Sequence, residues 1–191
     1  MTYIVDEPRW ALCLGGAAEV WTDVAALEAL IGRPWPGLVI AANDVGAHWS
    51  RRLDHWVSLH AYKFPRWTVA RDVRGYPNGY ALWGRSRDAA HVHRVVEPWA
   101  GGSSGMLAVQ AAHELGCTRA VLCGVPMTMT AHFPGAEERF HAVWYAANGH
   151  WTAWRKQAAR MEGWVKSMSG RTRELFGAPE IGWLTAGGLV P

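Results

Sequence analysis

The first part of the chain alternates short apolar runs with a segment of helical periodicity. The run Trp10–Leu14 stops at a glycine pair, and a second apolar run spans Gly37–Asn43. Uninterrupted apolar runs of this length are typical of strands buried on both faces. Between them, apolar residues at helical spacing predict a helix from Thr22 to about Gly32. Strand, helix, strand is the crossover unit that imposes parallel pairing.

The same patterns continue to the end of the chain. The pattern predicts strands at His55–Leu59, Trp67–Ala70, Arg119–Cys123 and around Val165, and helices at Ser104–Leu115, over 140–161 (one, or a pair broken near Gly149) and at Arg171–Phe176. Residues 72–100 hold turn signals and weak strand pieces, which indicate either edge strands or a lid. We therefore predict an α/β fold: a single Rossmann-like domain over 1–191, with a mostly parallel sheet and helices on both faces.

Composition and charge limit the class of protein and the kind of ligand to expect. The 191 residues are 50% hydrophobic, enough for the core of one α/β domain. No apolar run is long enough to span a membrane and the N-terminus lacks a signal peptide pattern, so we expect a cytoplasmic protein. The net charge of +3 is spread along the chain, which suits a small anion better than duplex nucleic acid.

Cysteine and histidine spacing gives no reason to expect a metal or another cofactor. Cys13, Cys117 and Cys123 lie in or beside apolar segments without CxxC spacing, so we expect buried thiols. His91 and His93 alternate as on a strand, but they lack a third ligand.

Four segments follow the carboxyl ends of predicted parallel strands. They are Gly15, Gly16 and Ala17; Asn43 and Asp44; His60; and the segment that starts at Gly124. Ligands of open α/β sheets bind beyond these ends, so the shared position predicts a site. The alternative is ordinary turn punctuation, because glycine also ends strands for turn geometry.

A glycine- and serine-rich stretch precedes the helix predicted at Ser104. It comprises Gly101, Gly102, Ser103, Ser104 and Gly105. Bare backbone amides and hydroxyls at a helix start can receive a phosphate or carboxylate. Neither a P-loop lysine nor the GxGxxG spacing is present, and the same stretch also makes a good N-cap without a ligand.

Two further groups are candidates. Ser169 and Arg171 stand at a second predicted helix start, where a cation in the first turn opposes the helix dipole unless a bound anion pairs with both; the alternative is a serine cap beside a solvated arginine. His60 and His132 lie in loops that follow strands, where an imidazole can transfer protons near neutral pH.

Several of these segments resemble a known family. The segments are Leu12–Gly16, Val39–Asn43, Asp54–His60, Ser104–Gly116 and Val121–Val125. Together they resemble the small bacterial sialyltransferases and the related flagellin-glycosylation accessory proteins, over about residues 10–133. The resemblance implies a Rossmann-like sheet that binds CMP-sialic acid. It also implies His132 as general base and nucleotide contacts from Gly15, Gly16, Asn43, Ser103, Ser104 and Gly105.

The chain also departs from that family. The family's first loop usually reads Gly-x-Gly-Pro-Ser, whereas this chain has Gly15–Glu19, and a glutamate there repels phosphate unless it points away. The tyrosine pair expected to assist the leaving phosphate is not evident after Phe133. The arrangement also resembles uncharacterised proteins of tailed phages and prophages, which implies the host cytoplasm.

Three functions stay open from the sequence. The first is a nucleotide-sugar-dependent transferase of the sialyltransferase type. The second is a phage or prophage protein that binds or sequesters a nucleotide-derived ligand without turnover. The third is a nucleoside-monophosphate phosphoribohydrolase, whose second glycine segment this chain lacks. All three take a small anionic nucleotide-type ligand, and homo-oligomerisation stays open.

Overall fold

The computed structural model, which describes residues 9–99, 103–136 and 142–186, contains one sheet of seven parallel strands. In chain order they are β1 (Arg9–Leu14), β2 (Leu38–Ala42), β3 (His55–Val57), β4 (Ala81–Gly84), β5 (Arg94–Val95), β6 (Cys117–Cys123) and β7 (Val165–Ser167). The strand order is β5-β4-β3-β2-β1-β6-β7. The sheet grows outward from β1 in both directions, so its topological switch point lies between β1 and β6.

Helices cover both faces of this sheet. They are α1 (Val20–Ile31), α2 (Val45–His48), α3 (Phe64–Val73), α4 (Ser104–Glu114), α5 (Ala142–Met161), α6 (Gly170–Phe176) and α7 (Ile181–Ala186). Helices α1, α2, α3 and α7 pack on one face, and α4, α5 and α6 pack on the other. The α/β fold class predicted from the sequence is therefore confirmed. No helix of the described ranges combines the length and apolarity that a bilayer-spanning segment needs.

Burial on both faces explains the uninterrupted apolar strands. In β1, Leu12 and Leu14 belong to the core on the α1 side, whereas Ala11 and Cys13 belong to the core on the α4 side. Adjacent residues of a strand point to opposite faces, so a strand buried twice is apolar at every position. The three cysteines are buried free thiols, as predicted.

The structure changes several predicted boundaries. Helix α1 begins at Val20 with Glu19 at its N-cap, two residues before the predicted Thr22. The helix of 142–161 is continuous through position 149, so of the two alternatives the single helix is the one observed. Residues 94–95 form the edge strand β5, and residues 81–84 form β4 next to it, which pairs with both β3 and β5. A 3-10 turn over Ser86–His91 joins the two strands, so the sheet-edge alternative is the one observed for these residues.

The predicted strand Trp67–Ala70 is wrong, because this segment lies inside α3. Pro65 stands in the first turn of the helix, where its missing amide hydrogen costs nothing. Phe64, Trp67 and Arg71 are spaced by three and four residues and form the buried face of α3. The β-branched Val69, which favoured the strand interpretation, is 59% exposed.

A buried arginine holds α2 in place beside the ends of β2 and β3. The side chain of Arg71 is fully buried and donates hydrogen bonds to the backbone carbonyls of Gly46, Trp49, Arg51 and Pro77. The rings of Tyr76 and Tyr80 lie 5.7 and 5.6 Å from the guanidinium carbon. The planar guanidinium group of Arg71 thus connects α2, the loop after α2 and the turn before β4.

We expect Arg71→Lys to lower the free energy of unfolding by about 3 kcal/mol or more, because one ammonium cannot reach all four carbonyls and the abandoned groups stay buried. Arg74→Lys is the matched control, since Arg74 is exposed and donates to the Ala70 carbonyl alone. Urea unfolding of the three proteins tests this. Equal losses in both variants would refute the tethering role of Arg71.

Candidate functional site

A cavity of about 580 Å³ opens beyond the carboxyl ends of β1, β2 and β6. The first turn of α4 and the loop after β6 complete its wall. The predicted site residues that line it are Gly15, Gly16, Ala17, Asn43, Asp44, His60, Ser103, Ser104, Gly105, Gly124 and His132. Gly101 and Gly102 lie outside the described residues. The cavity stands at the topological switch point, where open α/β sheets place ligands.

Beside the cavity, the backbone that follows β1 packs closely against the backbone that follows β6. The amide of Gly15 donates to the Cys123 carbonyl at 2.8 Å. A β-carbon on Gly15 would lie 2.3 Å from the Gly124 carbonyl oxygen, and one on Gly124 would lie 2.7 Å from the Gly15 oxygen. Both glycines are therefore required by the packing of backbone against backbone, independently of any ligand.

Next to this backbone contact, a second set of contacts fixes His132. Residues Ala17 and His132 form an antiparallel bridge, and the Phe133 amide donates to the Gly16 carbonyl at 3.1 Å. Glu19 accepts a hydrogen bond from the Thr130 hydroxyl at 2.8 Å and is not among the lining residues. The glutamate that would repel a phosphate thus points away from the cavity.

The imidazole of His132 has an unsatisfied ring nitrogen. Its Nδ1 is buried and has no hydrogen-bond partner among the described residues. A β-carbon on Gly16 would lie 3.2 Å from that nitrogen, so only glycine leaves the ring its present room. Because buried polar atoms are nearly always paired, an orphaned ring nitrogen in a residue that lines the cavity marks His132 as a candidate functional group.

Asn43 sits at the end of β2 in a left-handed conformation, with φ of 58°. Asparagine tolerates this conformation better than most residues. Its side-chain oxygen accepts a hydrogen bond from the Ser58 hydroxyl at 2.8 Å, and its carbonyl accepts one from the Trp56 indole. Since the oxygen is occupied, the amide group that Asn43 offers a ligand is its NH₂ donor.

The start of α4 uses its serine hydroxyls inside the protein. Ser103 is the N-cap, and its oxygen accepts from the Met106 amide at 3.3 Å and from the Trp154 indole at 3.2 Å. The Ser104 oxygen accepts from the Leu59 amide at 3.2 Å. The first-turn amides have no acceptor within the helix. The backbone of α4, more than its hydroxyls, is therefore what this wall presents to an anion.

Sequence reasoning missed the basic part of the wall. Lys63, Arg85 and Arg87 also line the cavity, whereas Asp44 is the one carboxylate among its described lining residues. This excess of cations favours an anionic ligand. A signal was present, because Arg85 directly follows β4, which the sequence showed as one of the weak strand pieces in residues 72–100.

The structure does not bring Ser169 and Arg171 into the cavity lining. The Ser169 hydroxyl donates to the Asp23 carboxylate at 2.7 Å, and the same oxygen accepts from the Gly124 amide at 2.8 Å. The Arg171 guanidinium carbon lies 5.7 Å from the Trp151 ring centre. These residues fasten α6 to the loop after β6, and the expected anion site at this helix start has no support in the geometry.

Asp23 gives this fastening a pH dependence. The carboxylate is 7% exposed, and burial raises its pKa above the ordinary 3.8. The native state therefore binds a proton more tightly than the unfolded chain, and this contribution to stability is present below pH 3.8 and is lost as the pH rises through the native pKa.

We expect Asp23→Asn to become progressively more stable relative to the parent protein as the pH rises above 3.8, because the amide keeps an acceptor for Gly124 and Ser169 without burying a charge. Urea unfolding from about pH 3 to about pH 7 measures the difference. Glu162→Gln, at an exposed position, is the control. A stability difference independent of pH would contradict the assignment.

Comparisons with known proteins support the fold alone. No family model matches the chain, and no curated protein matches it. Among solved structures, the chain is similar to the sialyltransferase CstII from Campylobacter jejuni in complex with the substrate analogue CMP-3FNeuAc, with a TM-score of 0.54 and 12% sequence identity. The similarity covers 91% of this chain and 87% of that one.

Proposed function

We propose that the cavity binds a nucleotide or nucleotide sugar and that the protein is a glycosyltransferase of the sialyltransferase type. One observation carries the proposal: the first turn of α4 opens into the same cavity as the ends of β1, β2 and β6. Free amides and the positive end of the helix dipole then face the place where an open α/β sheet binds its ligand.

The size and charge of the cavity support a nucleotide-type ligand. Its volume of about 580 Å³ falls within the range of roughly 300–1,000 Å³ that is usual for small-molecule sites. The excess of basic over acidic lining residues favours one or more phosphates. The similar solved structure contains a CMP-sugar analogue, which makes cytidine nucleotides the first ligands to test.

In the transfer reaction, His132 is the candidate general base. Its imidazole would take the proton of the acceptor hydroxyl while the hydroxyl oxygen attacks the anomeric carbon. The bond from that carbon to the phosphate oxygen would break, and the nucleoside monophosphate would leave with the electron pair. His60 also lines the cavity and is the alternative base.

The second candidate function is capture without turnover, as a phage or prophage protein that sequesters a nucleotide-derived ligand. It is favoured by the departures of the first loop, Gly15–Glu19, and by the single tyrosine, Tyr145, in the sequence after Phe133. A binding module needs only the anion site at the first turn of α4, which we call the cradle. It needs neither a base nor a group that assists departure of the phosphate.

We expect Ser103→Asp to weaken nucleotide binding at least about tenfold relative to Ser103→Asn, because a carboxylate at the mouth of the cradle repels the ligand phosphate. Both substitutes are good N-cap residues, so the pair differs in charge alone. Thermal shift screening of nucleotides and nucleotide sugars identifies the ligand, since about a hundred times the Kd adds about 2.7 kcal/mol of stability. Equal affinities of the two variants would remove the cradle.

We expect His132→Ala to lower turnover of a bound nucleotide sugar by about 10²- to 10⁴-fold while leaving its Kd within about threefold. His113→Ala, on α4 outside the cavity lining, is the control. Chromatography of the incubated ligand follows its consumption. Unchanged turnover would eliminate His132 as base, and an intact ligand with the parent protein, tested with acceptors, would establish capture.

A further inference from the structure

Two arginines of the 3-10 turn after β4 reach the cavity from the side of the sheet edge. Arg85 and Arg87 both line it. The Arg85 side chain is 24% exposed and donates to the Leu59 carbonyl, which fixes its guanidinium. The Arg87 side chain is 63% exposed. One fixed and one exposed guanidinium therefore border the same space.

The two arginines share one carboxylate. The Nε atoms of Arg85 and Arg87 lie 3.7 and 3.8 Å from the same oxygen of Asp88. These separations are ion pairs that exceed hydrogen-bond length. The Arg85 Nε and that Asp88 oxygen are buried without hydrogen-bond partners among the described residues. Two cations face one carboxylate, so one unit of positive charge is left for a ligand.

We propose that Arg85 and Arg87 form a phosphate clamp, which makes the phosphate, rather than the base or the sugar, the part of the ligand that decides binding. A guanidinium presents parallel N–H groups that match two phosphate oxygens. The Leu59 peptide connects the clamp to the first turn of α4, because its carbonyl accepts from Arg85 and its amide donates to the Ser104 oxygen at 3.2 Å. The two sets of donors therefore border the same part of the cavity. The ligand class is therefore a nucleoside monophosphate or its ester, and an uncharged nucleoside is excluded.

The clamp also provides a cation that could stabilise the leaving group of the proposed transfer reaction. This step of the inference rests on the proposed function. Departure of a nucleoside monophosphate places negative charge on the leaving oxygen. The sequence after Phe133 holds a single tyrosine, Tyr145, so a tyrosine pair is not there to meet that charge. Arg85 lines the cavity, and a hydrogen bond to a backbone carbonyl fixes its guanidinium, so it can meet that charge.

The test compares Arg85→Gln and Arg87→Gln with Arg155→Gln, which removes one positive charge at an exposed position outside the cavity lining. Calorimetry measures the affinity of each protein for four nucleoside monophosphates, their nucleosides and inorganic pyrophosphate. We expect Arg85→Gln to weaken monophosphate and pyrophosphate binding by about 10- to 100-fold. Arg87→Gln weakens it about threefold, in keeping with its exposure, and Arg155→Gln leaves it unchanged.

The outcomes separate this inference from the proposed function. If the parent protein binds nucleotides and both cavity variants bind them equally well, the clamp is refuted and the nucleotide function stands. If it binds pyrophosphate through Arg85 but no nucleotide, the two arginines remain a phosphate site, whereas the nucleotide ligand class and the proposed function both fail. Nucleoside binding as tight as monophosphate binding refutes the clamp. Arg87→Gln changes an exposed side chain, so it carries the comparison if Arg85→Gln does not fold.

Discussion

The structure depends on the approach of two strand ends to less than the width of a side chain. Beyond Leu14 and Cys123, the paired last residues of β1 and β6, the chain continues through Gly15 and Gly124, where a β-carbon on either glycine would overlap the other's carbonyl. Because this contact is made of backbone, it sets the positions of both following loops at once. The cavity between those loops and α4 is a consequence of it.

Around this backbone contact, some polar groups of the cavity wall are paired within the protein and others face the cavity. Protein donors engage the hydroxyls of Ser103 and Ser104, one carboxylate oxygen of Glu19 and the side-chain oxygen of Asn43. The first-turn amides of α4 and the guanidinium groups of Arg85 and Arg87 are what the wall presents to a ligand. Donors outnumber acceptors in this second group, which is the pattern expected of a site for an anion.

The central strands of the sheet and the position of the cavity could be predicted from the sequence, because both follow from local patterns. Strands β1, β2 and β6 contain the uninterrupted apolar runs Trp10–Leu14, Leu38–Ala42 and Ala120–Cys123, and strand ends gather at one edge of a parallel sheet. The elements at the periphery of the sheet were harder to predict. In α3 the β-branched Thr68 and Val69 suggested a strand, and only the burial of Arg71 by distant carbonyls reveals the helical face. The role of Ser169 was inaccessible for the same reason, since its partner Asp23 lies 146 residues away.

The two ends of the sheet are short. Strand β5 has two residues and β7 has three, and Arg94 and Val95 of β5 are exposed. A long open edge would present unpaired amides and carbonyls that another molecule could extend into a shared sheet. In the described part of this chain both edge strands are too short to act as such a template.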